Sequence, residues 1–245
     1  MSTQQMRSIY AYIISLLLST GIIQAQVNQK PEPARTPFFN GFTIHGDVAS
    51  LAMPLVTNGV NYGAEGGIQV DIKQKLYPVF EMGFEGADKT TADNVRFTDY
   101  GVYTRFGVDF NIAKKGKDSK PTNNLFLAGA RLGISNSMYN IRNITIQDDY
   151  WGGTKTLNYL NNPDTKVWFE IVAGIRVEII KNIYMGWNVR NKHMLKQDKE
   201  GDVSAWHVPG FGKNGATAWG FNYVVGYHFN TIKPQKSKKN NNLNK

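Results

Sequence analysis

Four arginines, Arg105, Arg131, Arg176 and Arg190, stand among a larger set of acids: Glu65, Asp71, Glu81, Glu85, Asp109, Glu170 and Glu178. Guanidinium and carboxylate groups form planar two-bond ion pairs, and Arg tolerates burial in such pairs better than Lys does. All of these charges occupy polar positions of alternating apolar–polar runs. Two kinds of chemistry fit that placement. The charges line a polar pathway or gated pore, or they pair with one another and fill an interior. An interior framed by eight strands is only just wide enough for side chains, which favours the filled, mutually paired arrangement.

Other constellations are weaker. His193, His207 and Ser204 lie close in sequence and would suit acyl-transfer chemistry, but nothing supplies an acidic orienter or an oxyanion hole, so no catalytic residue is assigned and no enzyme is expected. Asp148–Asp149 and Asp198, Glu200 and Asp202 carry oxygen ligands suited to a divalent cation, yet they read as solvated loop charges. No H-E-x-x-H, phosphate-binding loop or dinucleotide fingerprint occurs, so no metal and no cofactor are expected. Tyr150, Trp151, Tyr159, Trp206 and Phe211 fall in long polar connections and are candidates for recognition of an external ligand. Aromatic residues that fold a loop back over a barrel mouth give the same pattern.

The elements that position the charges are strands. From Asn61 to Lys73, Tyr62, Ala64, Gly66, Ile68, Val70 and Ile72 alternate with Asn61, Gly63, Glu65, Gly67, Gln69, Asp71 and Lys73. Side chains alternate across a strand, so this run has one apolar and one charged face. The pattern predicts eight strands: Gly41 to Met53, Asn61 to Lys73, Leu76 to Gly86, Asp99 to Ile112, Leu125 to Ser135, Val167 to Ile179, Ile183 to Lys192 and Ala218 to Phe229. Gln74–Lys75 and Lys181–Asn182 read as tight turns, and Ala113 to Asn124 as a polar, basic loop. Ala87 to Thr98, Asn136 to Lys166 and His193 to Thr217 read as long loops, all on one rim with the first connection, Pro54 to Val60. Short turns at one end and long loops at the other are the asymmetry of a transmembrane β-barrel.

The N-terminus adds a compartment. Arg7, the apolar stretch Ile9 to Ile23 and the Ile23-Gln24-Ala25 site predict a cleaved signal segment over 1–25. Residues 26–38 follow as an extended, Pro-rich lead-in, 39–229 as the barrel and 230–245 as a basic tail. The chain has no cysteine, which excludes disulfides, thiolate metal sites and a cysteine-linked lipid anchor. Its net charge of +9 does not point to nucleic acid. Five tail lysines and four in the basic loop, less Asp118, carry +8 of it without interleaved aromatics.

Charge type assigns the faces. Every lysine falls in a loop, a tail or a strand end, whereas the strand interiors carry Arg, Glu and Asp. The charged face also holds Gly63, Gly67, Gly83, Gly107, Gly129, Gly133, Gly174, Gly186 and Gly226, small neighbours that long side chains need in a narrow lumen. One such Arg turned to lipid would cost about 2–4 kcal/mol near the midplane. The charged face therefore points inward and the aromatic–aliphatic face outward, with Trp187, Trp219, Tyr227 and Phe229 as candidate girdle residues. Gly226-Tyr227-His228-Phe229 resembles the aromatic-ending signal read by barrel-assembly machinery, although sixteen residues follow it here.

Tyr77-Pro78-Val79-Phe80-Glu81-Met82-Gly83, Arg105 to Asn111, Gly186-Trp187-Asn188-Val189-Arg190 and Trp206-His207-Val208-Pro209-Gly210-Phe211-Gly212 together resemble an uncharacterised family of small outer-membrane β-barrels from Bacteroidetes. The resemblance covers about Phe39 to Phe229. It implies a location and a fold and carries over no catalytic residue.

The expectation is an all-β, eight-stranded antiparallel up-and-down transmembrane β-barrel in the outer membrane, with both termini periplasmic. Its role would be structural or surface-binding. The alternatives are a narrow channel for small solutes and a lipid-modifying enzyme. Its partners would be outer-membrane lipid and lipopolysaccharide, the assembly machinery, and an external ligand or envelope partner.

Overall fold

The computed structural model describes residues 38–113, 124–148, 152–196, 198 and 203–231. The expected signal segment, nearly all of the expected lead-in, most of the basic loop, Tyr150, Trp151 and the tail beyond Thr231 lie outside the described residues. The elements are β1 (Phe39–Asp47), α1 (Val48–Val56), β2 (Asn61–Ile72), β3 (Leu76–Thr90), β4 (Arg96–Asn111), β5 (Leu125–Asp148), β6 (Gly153–Ile180), β7 (Ile183–Met194), β8 (His207–Val208), β9 (Gly212–Lys213) and β10 (Thr217–Asn230). Eight of these strands close into an antiparallel barrel in the order β1-β10-β7-β6-β5-β4-β3-β2. Each strand pairs with its chain neighbour, apart from the small β8–β9 hairpin, and β10 returns to β1. This is the up-and-down, eight-stranded architecture that the alternation implies.

The turns follow from local chemistry. Lys73 and Gln74 both take positive φ, 54° each, and close β2 onto β3 in the tight reverse turn whose twist suits a hairpin. Asn182, at φ 67°, does the same between β6 and β7. The two faces part as the sequence divides them. Phe80, Met82, Phe84, Val102, Phe106, Phe110, Ile171 and Phe221 are exposed on the outer wall. Glu65, Glu81, Arg105, Asp109, Arg131, Glu170, Arg176 and Arg190 are buried inside.

Four expectations need correction. The first strand does not reach Met53. It ends at Asp47, whose carboxylate accepts from the Ala49 backbone N–H and caps α1. The following Val-Ala-Ser-Leu-Ala-Met run has no polar alternation to hold a strand, and Val48 leaves the outer face for the helix.

The expected loop from Asn136 to Lys166 is instead a hairpin, because β5 and β6 continue to Asp148 and from Gly153. Asparagines smooth its irregularities. Asn143 N–H donates to the Asn158 side chain and Asn161 N–H to that of Asn140, both where the register shifts and φ turns positive. The Ala87 to Thr98 loop likewise shrinks to a turn at 91–95.

Lys166 departs from the expectation that every lysine falls in a loop, a tail or a strand end. It lies inside β6 and is ion-paired to Asp164 and Asp198.

Candidate functional site

Halfway along the barrel, strand register brings opposite charges side by side. Glu81 lies opposite Arg105, and Arg131 lies opposite Glu170. Arg190, on β7, reaches across the lumen and grips Glu81 with two bonds, Nη1 to Oε2 at 2.8 Å and Nη2 to Oε1 at 3.2 Å. Its Nη2 also meets Glu65 Oε1 at 3.2 Å and its Nη1 meets Glu170 Oε2 at 3.4 Å. Arg105 donates from Nη1 to Glu65 Oε2 at 2.5 Å and lies 2.9 Å from Glu170 Oε1 through Nε. Arg131 Nη2 lies 3.0 Å from Asp109 Oδ2 and 3.4 Å from Glu81 Oε1. Arg190 and Glu170 are both 0% exposed.

Neutral donors complete the layer. Tyr103 O–H donates to Glu65 at 2.7 Å, Trp168 Nε1–H to Glu170 at 2.6 Å and Gln69 Nε2–H to Asp109 at 2.8 Å. A buried charge is tolerable only when paired and further hydrogen-bonded, and each of these carboxylates meets both conditions. Glycine makes room where aromatic rings lie flat against a neighbouring strand: a Cβ on Gly133 would meet the Trp168 ring at 2.3 Å.

The mouth is closed differently. The chain between β7 and β10 turns back into the barrel, and Val208, Pro209, Gly210 and Phe211 are buried there. Gly210 holds the tip. Its carbonyl accepts from Arg105 Nη2 and from Lys192 Nζ, both at 2.7 Å, and its N–H donates to Glu85 at 2.7 Å. Its φ of +78° and a Tyr103 ring 2.5 Å from where a Cβ would sit both require glycine. Phe211 packs edge-on against Trp168 at 5.9 Å. His207 bridges Asp99, at 2.8 Å from Nδ1, and Glu85, at 3.5 Å from Nε2. Burial alone would lower the His207 pKa. The hydrogen bonds to the two carboxylates outweigh it and raise the value to about 9.

Above the mouth a second apolar cluster joins Ala87, Phe97, Tyr139, Ile141 and Ala205. Trp206 stacks on Phe97 at 5.1 Å, and Tyr139 O–H donates to the Val203 carbonyl at 2.8 Å. The long hairpin and the returning loop therefore brace each other.

The structure thus brings Glu65, Glu81, Arg105, Asp109, Arg131, Glu170 and Arg190 into one network. It leaves four charges of the expected network apart. Asp71 accepts from the Asn40 side chain and the Gln74 N–H near the turn rim. Glu178 accepts from Asn182 N–H at the β6–β7 turn. Glu85 serves the mouth. Arg176 is buried but forms no ion pair among the described residues.

Phe211 and Trp206 do not offer themselves to an external ligand: one is sealed in the mouth and the other is stacked on Phe97. Tyr159 packs against the same cluster. Phe211 and Trp206 bury apolar area more favourably there than in water. His193, on the outer face of β7, bonds to Asn191, so the His193–His207–Ser204 set is not assembled. No group of three or more potential metal ligands occurs among the described residues.

Sequence reasoning missed Trp168, Asp99 and the bonds of inward-facing Lys192 to the Gly210 and Phe211 carbonyls. Trp168 shares the parity of Glu170 and was the available signal.

A closed eight-stranded antiparallel barrel, ion-paired within and stoppered by its own loop, is the class that fold and site define. The chain belongs to the family described as Domain of unknown function (DUF6048), whose model matches residues 6–233. It is thus a member of an uncharacterised family. No curated protein matches it.

Proposed function

We propose that the protein is a non-conducting outer-membrane β-barrel, of the Bacteroidetes type that its motifs resemble, with a structural or surface-binding role. The observation that carries this reading is its inverted polarity. The charges are buried and paired inside, while Phe80, Phe84, Val102, Phe106, Phe110, Ile171 and Phe221 stand exposed around the outside. In water that outer wall would be an apolar patch far beyond what soluble monomers expose. In a bilayer it is the surface expected of a barrel, with Trp219 near the loop rim and Tyr227 and Phe229 near the turn rim as interfacial aromatics.

The signal-like segment and the aromatic final strand support export and machine-assisted insertion. Both chain ends leave the barrel at the turn rim, which the reading places in the periplasm with the basic tail. The opposite rim faces outward toward lipopolysaccharide. There the β5–β6 hairpin, rather than Trp206 or Phe211, is the surface offered to an external ligand or envelope partner. No nucleic acid, metal or cofactor enters the reading.

Against a channel stand the paired mid-lumen layer and the seated loop. Against a lipid-modifying enzyme stands His207, held between two carboxylates with its proposed companion His193 on the outer face. Membrane fractionation with gel mobility before and after boiling tests the placement. The expected result is an outer-membrane band whose mobility shifts on boiling. A soluble or inner-membrane band without a shift would overturn it.

A further inference from the structure

The wall of the barrel has a slot. β1 pairs with β10 only as far as Asp47–Val224 and with β2 only as far as Gly46–Gly66. β10 and β2 run on toward the loop rim, to Thr217 and Asn61. α1 packs against both strands where β1 is missing. Asp47 seals the junction. Its carboxylate accepts from Ala49 N–H at 2.9 Å, Asn222 Nδ2–H at 2.5 Å and Tyr223 N–H at 3.1 Å. One side chain thus caps one N–H of the helix N-terminus and one on the free edge of β10. At the other end, the Met53 carbonyl accepts from Thr57 N–H at 2.9 Å and from its hydroxyl at 2.8 Å, and the Pro54 carbonyl accepts from Gly59 N–H at 2.7 Å. Such internal closure of helix ends is what a site without water demands.

The helix has no charged residue, and none occurs from Val48 through Ala64. None of its residues is buried, and Leu55 is 85% exposed. The outward residues at the same height are Trp219 and Phe221 on β10 and Tyr62 on β2, all exposed. The helix surface therefore continues the apolar outer wall without a break.

We propose that α1 is a lipid-facing piece of the barrel wall. It replaces the upper half of β1 and sets Leu51, Leu55 and Val56 among the acyl chains of the outer leaflet. The inference rests on the outer-membrane reading above, and its occupant is lipid rather than a second copy of the chain. A nine-residue helix is marginal on its own in water, and burial of its apolar face in lipid supplies what its contacts with β2 and β10 do not.

The absence of cysteine makes the test direct. Leu55→Cys and Phe106→Cys each accept a single nitroxide label, one on α1 and one on the mid-barrel outer wall. The refolded full chain is placed in phosphatidylcholine vesicles, and each label's collisions with oxygen and with a water-soluble nickel chelate are measured. Both labels should meet oxygen several-fold more readily than nickel. A nickel-accessible Leu55→Cys label beside a lipid-shielded Phe106→Cys label overturns the role of α1 and leaves the membrane placement standing. Nickel access at both overturns the placement as well. A Leu55→Cys label shielded from both reagents, with spin–spin broadening, puts a second copy on the helix and also overturns the proposal. Val56→Cys repeats the reading if the first variant fails to insert.

Discussion

Halfway along the barrel the lumen is filled by side chains that the strands themselves point inward. At the mouth it is filled by a loop that returns from outside, Trp206 to Gly212. The first closure is a property of the wall. Strand alternation sends Glu65, Glu81, Arg105, Arg131, Glu170 and Arg190 inside, and register sets opposite charges next to each other. The second is an added part, held by Gly210, His207 and the Phe211–Trp168 contact. A layer built into the wall is removed only by rebuilding the wall. A seated loop can leave and return while every strand stays paired.

The largest expected effect lies in the mid-lumen layer. Arg190→Ala strips Glu65, Glu81 and Glu170 of a shared partner and leaves buried carboxylates short of charge. A stability loss of roughly 3–5 kcal/mol is expected, read as a lower urea midpoint in vesicles. A loss below about 1 kcal/mol would erase the distinction between the two closures.

The mouth should respond to pH where the layer does not. His207 holds its proton more tightly in the seated loop than in the free chain. Its stabilisation is therefore complete below about pH 6.5 and lost as pH rises through about 9. The span corresponds to something on the order of 3 kcal/mol. Tryptic cleavage after Lys213 should accelerate across that window while the barrel remains folded, and His207→Gln should flatten the dependence.

Gly210→Ala sharpens the same comparison with a smaller step, about 1–3 kcal/mol for a positive φ forced on a residue with a Cβ. It should raise loop cleavage at neutral pH without moving the urea midpoint of the barrel. The smallest effect belongs to the exposed Asp88–Arg96 pair, 2.6 Å apart on the β3–β4 hairpin. Asp88→Ala should shift the same unfolding curve least of these variants, and less still at high salt.

The same contrast explains what the sequence made legible. The period-2 pattern names the inward residues of β2, β3, β4 and β7 directly, because each of those strands obeys one rule along its length. It breaks down where short-range chemistry overrides alternation. Asp47 starts a helix, and Asn143 and Asn161 absorb bulges that carry a hairpin through a stretch resembling a loop. The mouth was half legible, since the loop aromatics suit an external ligand and a loop folded back over the barrel equally. Trp206 to Gly212 reads as a polar-flanked aromatic loop, and only contacts distant in sequence, Arg105 and Glu85 with Gly210 and Asp99 with His207, show that it points inward. Asp71 and Glu178 share the parity of the network but not its height, a coordinate that alternation does not encode.

The central claim is that the mid-lumen layer closes the barrel by itself, with the mouth loop as a second seal. Planar-bilayer recording tests it most directly, using the full chain and a variant whose residues 206–212 are replaced by a Gly/Ser linker. Neither protein should give discrete conductance steps, because the Arg–Glu layer stays in place when the loop is gone. Reproducible steps from the linker variant would contradict the claim and assign the seal to the loop.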